Sequence, residues 1–360
     1  DGFQDFFSRI EKHTPKQGYS VAVAMEGYNG YARPLDSMVR QRGYQLYNIN
    51  NLKLARFKEI FPGAAKSDQI DARKGLELFQ LRDHLPLAKE VLQEVSGTPQ
   101  ENEVLKRLTR RRRRLVNERV RVVNNLQADL QAVCPGLLEI TSEASNQWFL
   151  NFLISAKTLP QLTRLRKATL LKIPAVGRKY ASLIEDWQKR AHFGAEVDWV
   201  SEMIQEDAQR CLDLEEKIKA LESKIEQVAK DSKIAKILLS IPGFGPVCTS
   251  ELAGEIGTVE RFSKEGSLAL YLGMSTLDNS SGKYQGSKAP KHVNTRAKAA
   301  MMIAIDRHRK YVPESQKYYE KKRSEGKKHN QAIRALGRHL CRIIYKMLKE
   351  QRQYEIRPLT

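Results

Sequence analysis

An apolar run, Val21-Ala22-Val23-Ala24-Met25, delivers Glu26 to its end, and the stretch Ser67-Asp68-Gln69-Ile70-Asp71 sets two carboxylates three residues apart. At that spacing Asp68 and Asp71 share one helical face. A carboxylate at a strand tip beside a D-x-x-D helix offers the oxygen ligands that a hard cation such as Mg²⁺ takes, and such a cation can activate a phosphodiester. Ser281, in Asn279-Ser280-Ser281-Gly282-Lys283, is a candidate for the second half of that chemistry. Attack of its hydroxyl on phosphorus needs a base or a metal to activate the oxygen, and positive charge for the developing oxyanions. Lys291, Arg296 and Lys298 are close enough in sequence to clamp a phosphate there. Each acid and the serine also has a plainer use: Glu26 as a strand-end residue, Asp68 as a helix cap, Ser281 as a turn residue.

The elements that must position these residues change character along the chain. Up to about residue 98 helical and strand periods alternate. Phe3, Phe6, Phe7 and Ile10 recur at helical spacing, Tyr19–Met25 reads as a strand, Leu35–Arg42 as a helix and Gly43–Ile49 as a second strand. This α/β order predicts a parallel sheet with ligands at the carboxyl ends of its strands, where Glu26 falls. From Glu101 to about Val133 the pattern is one long basic helix containing Arg110, Arg111, Arg112, Arg113 and Arg114 in an unbroken run. Five consecutive arginines point all around a helix, so some are expected to face solvent or phosphate. In a second long helix, 198–230, Cys211, Leu214, Ile218, Leu221, Ile225 and Val228 step by three and four. That heptad seam predicts a coiled-coil contact, within the chain or with a second copy.

An internal echo follows the same division. Leu170-Leu171-Lys172-Ile173-Pro174-Ala175-Val176-Gly177 and Leu238-Leu239-Ser240-Ile241-Pro242-Gly243-Phe244-Gly245 are one phrase written twice. Both have the form of a helix-hairpin-helix turn that brings backbone amides to a DNA phosphate, and the second, with Gly243 and Gly245, is the better copy. An ordinary helix–helix turn is the alternative. Most of the rest, 232–353, reads as helical, with a Gly/Ser/Asn-rich loop at Ser275–Gly286 and a helix over Asn294–His308. Lys317–Arg352 holds twelve Lys/Arg against three Asp/Glu, a phosphate-facing surface on an amphipathic helix whose apolar side is Ile333, Leu336, Leu340, Ile344 and Leu348.

At 360 residues two or three units are expected. A formal net charge of +20 with basic residues in several segments points to a nucleic-acid partner rather than a membrane. Four scattered cysteines, Cys134, Cys211, Cys248 and Cys341, indicate neither a disulfide framework nor a zinc site and fit a cytoplasmic protein. No apolar run approaches a membrane span, and no signal peptide is legible. The chain begins without methionine, which suggests a fragment or a processed start.

Eight short motifs follow in order: Met25-Glu26-Gly27-Tyr28, Lys66-Ser67-Asp68-x-x-Asp71-Ala72-Arg73, Ile241-Pro242-Gly243-Phe244-Gly245, Glu255-Ile256-Gly257 with Arg261-Phe262, Tyr271-Leu272-Gly273, Ser281-Gly282, Lys291-x-x-Asn294, and Ala332-x-x-Ala335-Leu336-x-Arg338. Their order and spacing resemble the DEDD-type insertion-sequence transposases related to the Piv DNA invertases, over nearly the whole chain. The resemblance implies an α/β plus mostly α architecture. A RuvC-like (RNase H-like) domain occupies 1–98, a helical coiled-coil linker with an insertion 99–231, and a helical transposase domain with the serine nucleophile and the hairpin motif 232–360. It implies Mg²⁺ held by Glu26, Asp68 and Asp71, Ser281 attacking DNA, and the arginine run, Gly243, Gly245, Lys291, Asn294, Arg296, Lys298 and Arg338 on nucleic acid. Expected partners are double-stranded donor and target DNA, a guide (bridge) RNA from the same element, and further copies of the chain as a dimer or tetramer. A bacterial or archaeal, DNA-associated setting goes with these.

One departure stands out. The family's first Asp sits on a strand ahead of the helix placed here at residues 3–14, and Asp1 and Asp5 are poor substitutes. An N-terminally truncated copy with an unsupported sheet edge and impaired metal binding is therefore expected. At Ala297-Lys298, where the family commonly has Leu-Arg, Lys298 keeps the charge without the bidentate fork. Two other functions compete: a metal-dependent junction-resolving nuclease in which Ser281 is structural, and a catalytically silent nucleic-acid-binding relic.

Overall fold

In the computed structural model, described over residues 2–14, 20–26, 33–49, 54–55, 59, 67–81, 84, 92–290 and 293–355, the periods of the sequence sort into two units, Asp1–Gly97 and Thr98–Thr360. The chain is mostly helical, with few strands. In the first unit α1 (Gly2–His13), β1 (Ala22–Glu26), α2 (Arg33–Gln41), β2 (Gln45–Ile49), α3 (Asp68–Leu81) and β3 (Leu92–Glu94) follow one another. β1 and β2 run parallel with Glu26 opposite Ile49, as strands joined through a helix must. β3 pairs antiparallel on the other side of β2, leaving β1 at the edge among the described residues. Side chains alternate across β2. Leu46 packs with Phe7 and Val39 from α1 and α2, whereas Tyr47 and Ile49 pack with Leu78 of α3 and with Leu92. Helices therefore cover both faces of the small sheet.

The second unit is framed by two long helices, α4 (Gln100–Val133) and α9 (Val197–Ala229). They lie antiparallel: Arg112 pairs with Glu222 near one end, Glu118 with Arg210 further along, and Gly194 abuts Val133 at the other end. Cys211, Leu214 and Ile218 of the heptad stripe are buried with Leu115, Val122, Leu126 and Leu130 of α4, so the seam finds its cover within the same chain. Residues 134–196 are inserted between the two long helices. They form α5 (Gly136–Glu139), α6 (Gln147–Leu153), a 3-10 turn (Leu159–Arg164), α7 (Lys167–Leu170) and α8 (Arg178–Gln188) around Phe149, Phe152 and Trp187.

A second core gathers α10 (Lys233–Leu239), α11 (Pro246–Ile256), α12 (Glu265–Tyr271), α13 (Thr295–Tyr311), α14 (Pro313–Ser324) and α15 (His329–Glu350), with Leu252, Leu268, Met301, Ile305, Leu336 and Ile344 at its centre. The basic stretch 317–352 falls into two helices rather than one, broken at Gly326, where φ is 81°. Its apolar stripe, Ile333 to Leu348, is core as expected. Among the described residues no helix is long and apolar enough to cross a membrane.

Candidate functional site

The Ser/Gly/Asn-rich loop is built as a projecting β-hairpin. β4 (Leu277–Asp278) pairs antiparallel with β5 (Ser287–Lys288), and Asn279 N donates to Gly286 O at 2.9 Å. Ser281 and Tyr284 then exchange both backbone bonds, at 3.1 and 3.0 Å, and close a two-residue turn. Gly282 enters that turn at φ 56°, which a side-chain-bearing residue resists and a first-position glycine allows. Ser281 thus sits at the tip, exposed, its backbone groups paired across the turn and its hydroxyl bonded to no described residue.

Both feet of this hairpin are tied to one buried residue, Glu255, one to its carboxylate and the other to its backbone carbonyl. Glu255, on the last turn of α11, is 0% exposed. It accepts from Arg110 Nε and Nη2 of α4 at 2.6 and 2.8 Å, and from Asn294 Nδ2 at 2.7 Å. Asn294 lies where the chain returns from the hairpin. Its side-chain oxygen caps α13 by accepting from Arg296 N and Ala297 N, and its own N–H donates to Tyr271 O at 2.9 Å. Tyr271, where the chain leaves for the hairpin, donates its hydroxyl to Glu255 O and accepts from Asn294, each at 2.7 Å. Arg261 donates to the carbonyls of Glu255 and Ile256 and lies 4.9 Å from the Tyr271 ring centroid.

The electrostatics follow from this arrangement. Burial would raise the Glu255 carboxyl, yet the hydrogen bonds from Arg110 and Asn294, with the charges of Arg110 and Lys106, hold it below its usual range. Burial lowers the Lys106 ammonium, against the pull of Glu255. Asn102 extends the network by donating to Gly257 O and accepting from Ser232, the N-cap of α10. Glu255, Arg261 and Tyr271 stood in the sequence as motif residues without a role, and their role needs α4, α11, α12 and α13 to be brought together. Asn102 and Ser232 carried no signal at all.

Several residues expected on nucleic acid make contacts within the molecule. Arg110 holds Glu255, Arg112 holds Glu222 and Arg113 holds Glu251, which is only 3% exposed, so these three guanidiniums bridge α4 to its neighbouring helices. Arg111 and Arg114 remain exposed. Asn294 is a cap and a ligand of Glu255. Arg338 turns to Glu265 of α12 at 3.9 Å. Lys298 lays its methylenes against Gly273, half-buried, while Arg296 is exposed on the first turn of α13. Gly243 and Gly245 do form a tight turn between α10 and α11. But Gly243, at φ 84°, is pressed onto α13, where an added Cβ would lie 2.6 Å from His308 N. Lys291 lies outside the described residues.

In the first unit the side chains of Glu26 and Asp68 also lie outside the described residues, and their backbones are placed. Glu26 ends β1 opposite Ile49, and Gly75 of α3 approaches the Ile49 side chain. Positions 68, 71 and 75 share that face of α3. Ser67 Oγ accepts from Ile70 N, which makes Ser67 rather than Asp68 the capping residue. Asp71 is half-buried. Among the described residues no cluster of three metal-ligating side chains occurs.

Comparison with known proteins bears on both units. A profile described as "Transposase IS116/IS110/IS902 family" matches residues 235–320, and a second transposase profile, of the DEDD type of IS110, matches residues 1–135. The uncharacterized 44.8 kDa protein of insertion element IS116 from Streptomyces clavuligerus is 26% identical over 324 residues, covering 88% of this chain and 79% of its own. The uncharacterized 43.6 kDa protein of IS110 from Streptomyces coelicolor is 25% identical over 357 residues, covering 97% and 86%. That of IS900 from Mycobacterium paratuberculosis is 31% identical over 149 residues, covering 41% and 37%.

Proposed function

The chain belongs to the IS116/IS110/IS902 family of transposases, and from that premise we propose that it cuts and joins DNA with Ser281 as nucleophile and Glu26, Asp68 and Asp71 as the ligands of Mg²⁺. The observation that carries this reading is the exposed Ser281 on a hairpin whose two feet are fixed to buried Glu255. A nucleophile gains from a fixed approach, because orientation supplies much of the barrier reduction. In the step proposed, the Ser281 oxygen bonds to phosphorus as one backbone P–O bond breaks. The serine gives up its proton to a base, the leaving deoxyribose oxygen takes one up, and rejoining is the reverse. Arg296, exposed on the first turn of α13, and Lys291 supply positive charge for the phosphate oxygens.

Three carboxylates form the oxygen-only donor set that Mg²⁺ takes, and by that chemistry the residues fit the ion. When bound it would neutralise phosphate charge and polarise a phosphoryl oxygen. In this reading residues 1–98, a RuvC-like domain, serve the metal, 99–231 link, and 232–360 carry the serine. Donor and target duplexes are the substrates. A guide RNA from the same element is part of the proposal, supported by the net charge of +20 and by Arg111 and Arg114. A dimer or tetramer is proposed because two duplexes are handled at once; the heptad seam, covered within the chain, gives it no support.

A metal-dependent nuclease is the second reading. It is favoured by the two backbone bonds of Ser281, which suit a turn residue. The test is to incubate the chain with duplex carrying its element's ends in Mg²⁺ and quench in detergent. Covalent protein–DNA product, lost in Ser281→Ala and in Asp71→Asn, is expected. Cleavage that leaves free ends and persists in Ser281→Ala would establish the nuclease instead.

A further inference from the structure

We propose that the first of the two repeated hairpins, Leu170–Gly177 in the inserted helical subdomain, is a docking surface for the phosphate backbone of duplex DNA, separate from the Ser281 hairpin. It rests on the reading that the chain acts on DNA. The two copies of the phrase fold alike. Ile173 N donates to Leu170 O and Val176 N to Ile173 O, both at 3.1 Å, and the second copy repeats these bonds from Ile241 to Leu238 and from Phe244 to Ile241. Ala175 takes φ 64° where Gly243 takes 84°. Even the proline carbonyl is held from outside in both, Pro174 O by Asn151 Nδ2 at 3.1 Å and Pro242 O by His308 Nδ1 at 2.8 Å.

What differs is the cover. The second turn is packed onto α13 through Gly243, while the first stands open, with Pro174, Ala175 and Gly177 exposed and nothing within 4 Å of a Cβ built on Gly177. The segment that carries it has one sign of charge. From Ala144 to Ile184 there are seven Lys/Arg and no Asp/Glu, and all seven are exposed. Lys172, Arg178 and Lys179 flank the turn directly. Of the seven, Lys167 is tied to Glu185 of α8 at 2.6 Å, a brace across the hairpin. An alanine resists the left-handed region, so the turn shape is held by the rest of the hairpin rather than by glycine.

The chemistry favours a duplex backbone over unstacked bases. Tyr180, the aromatic beside the turn, is already stacked on Trp148 with ring centroids 4.3 Å apart and offers no free platform. Backbone amides and cationic side chains position a protein on phosphates without reading sequence. Pro174 also lines a groove with Asp213, Glu215 and Glu216 of α9, and these acids would repel a phosphate, so the duplex approaches from the Lys172 and Arg178 side.

The test is binding of the full chain to a random-sequence duplex across 50–200 mM salt, with Lys172→Gln/Arg178→Gln/Lys179→Gln beside wild type. Loss of three phosphate contacts lowers the log–log salt slope by about 2.7, so the variant loses about 40-fold less affinity across that range than wild type does. Ala175→Asp, whose side chain tolerates the left-handed turn and adds a negative charge, is expected to weaken binding with an unchanged melting temperature. An unchanged slope and affinity in both variants would overturn the inference, as would a loss confined to an RNA duplex of equal length. Failure of wild type to bind any duplex DNA would overturn the reading on which it rests as well.

Discussion

Replacing Glu255 with alanine removes a fully buried carboxylate that accepts three hydrogen bonds, two from Arg110 and one from Asn294. Deleting one partner of a buried ion pair costs about 3–5 kcal/mol because the other charge is stranded. The Arg110 side chain is 39% exposed, so water rehydrates part of it, and the lower end, about 3 kcal/mol, is expected. For a unit of this size that lowers the melting midpoint by about 6–12 °C. Circular dichroism melts of the full chain read the shift, and a double-mutant cycle with Arg110→Ala should return a coupling of roughly 2 kcal/mol. The hairpin gives an independent readout, since trypsin has Lys283 and Lys288 as sites there and untying the Asn294 foot, with the Tyr271 bond to the backbone carbonyl kept, should speed their cleavage. A loss under about 1 kcal/mol, or strict additivity with Arg110→Ala, would refute the buried-pair reasoning. A large loss with unchanged cleavage at Lys283 and Lys288 would refute the anchoring role. The same carboxyl sets an acid limit. Its folded value lies below the ordinary 4.5, so near that pH the unfolded chain binds more protons. The stability it contributes above pH 4.5 is lost as pH falls through the folded value.

Three further outcomes are expected. His308, buried between Pro242 O and Ser315 Oγ, has its imidazole pushed below 6.5 by burial. The unfolded chain therefore takes up the extra proton first, stability should fall as pH drops below 6.5, and His308→Gln should flatten that slope in urea titrations from pH 7 to 5. Gly243→Ala, with φ 84° and His308 N 2.6 Å from the new Cβ, should cost about 2–4 kcal/mol, whereas Ala175→Gly, relieving φ 64° at an open turn, should stabilise by up to about 1 kcal/mol. Ser281→Ala should leave the melting temperature within error, because the exposed hydroxyl bonds to no described residue and the turn is held by backbone bonds.

Periodicity carried the helices and strands well. The phases of the heptad stripe and of the Ile333–Leu348 stripe both point into cores, and Gly43–Ile49 does contain β2, parallel to β1. β3 escaped because three residues hold too little alternation, and β4 and β5 because two residues hold none. The arginine run shows a different limit. A sequence can say that five arginines surround a helix, but not that Glu222, Glu251 and Glu255 wait on two other helices. The repeated phrase was legible as a repeat, but not which copy packs and which stands open, since that depends on Gly243 meeting α13. At the candidate site, the motif residues Glu255, Tyr271 and Asn294 lie close in space, although 39 residues separate the first from the last.

The most direct measurement is to map the covalent bond. After reaction with element-end duplex in Mg²⁺, detergent quench and exhaustive nuclease digestion, peptide mass spectrometry should find a nucleotide mass on the peptide containing Ser281 and on no other serine or tyrosine. A nucleotide on a different residue, or cut DNA with no modified peptide, would contradict Ser281 as the nucleophile.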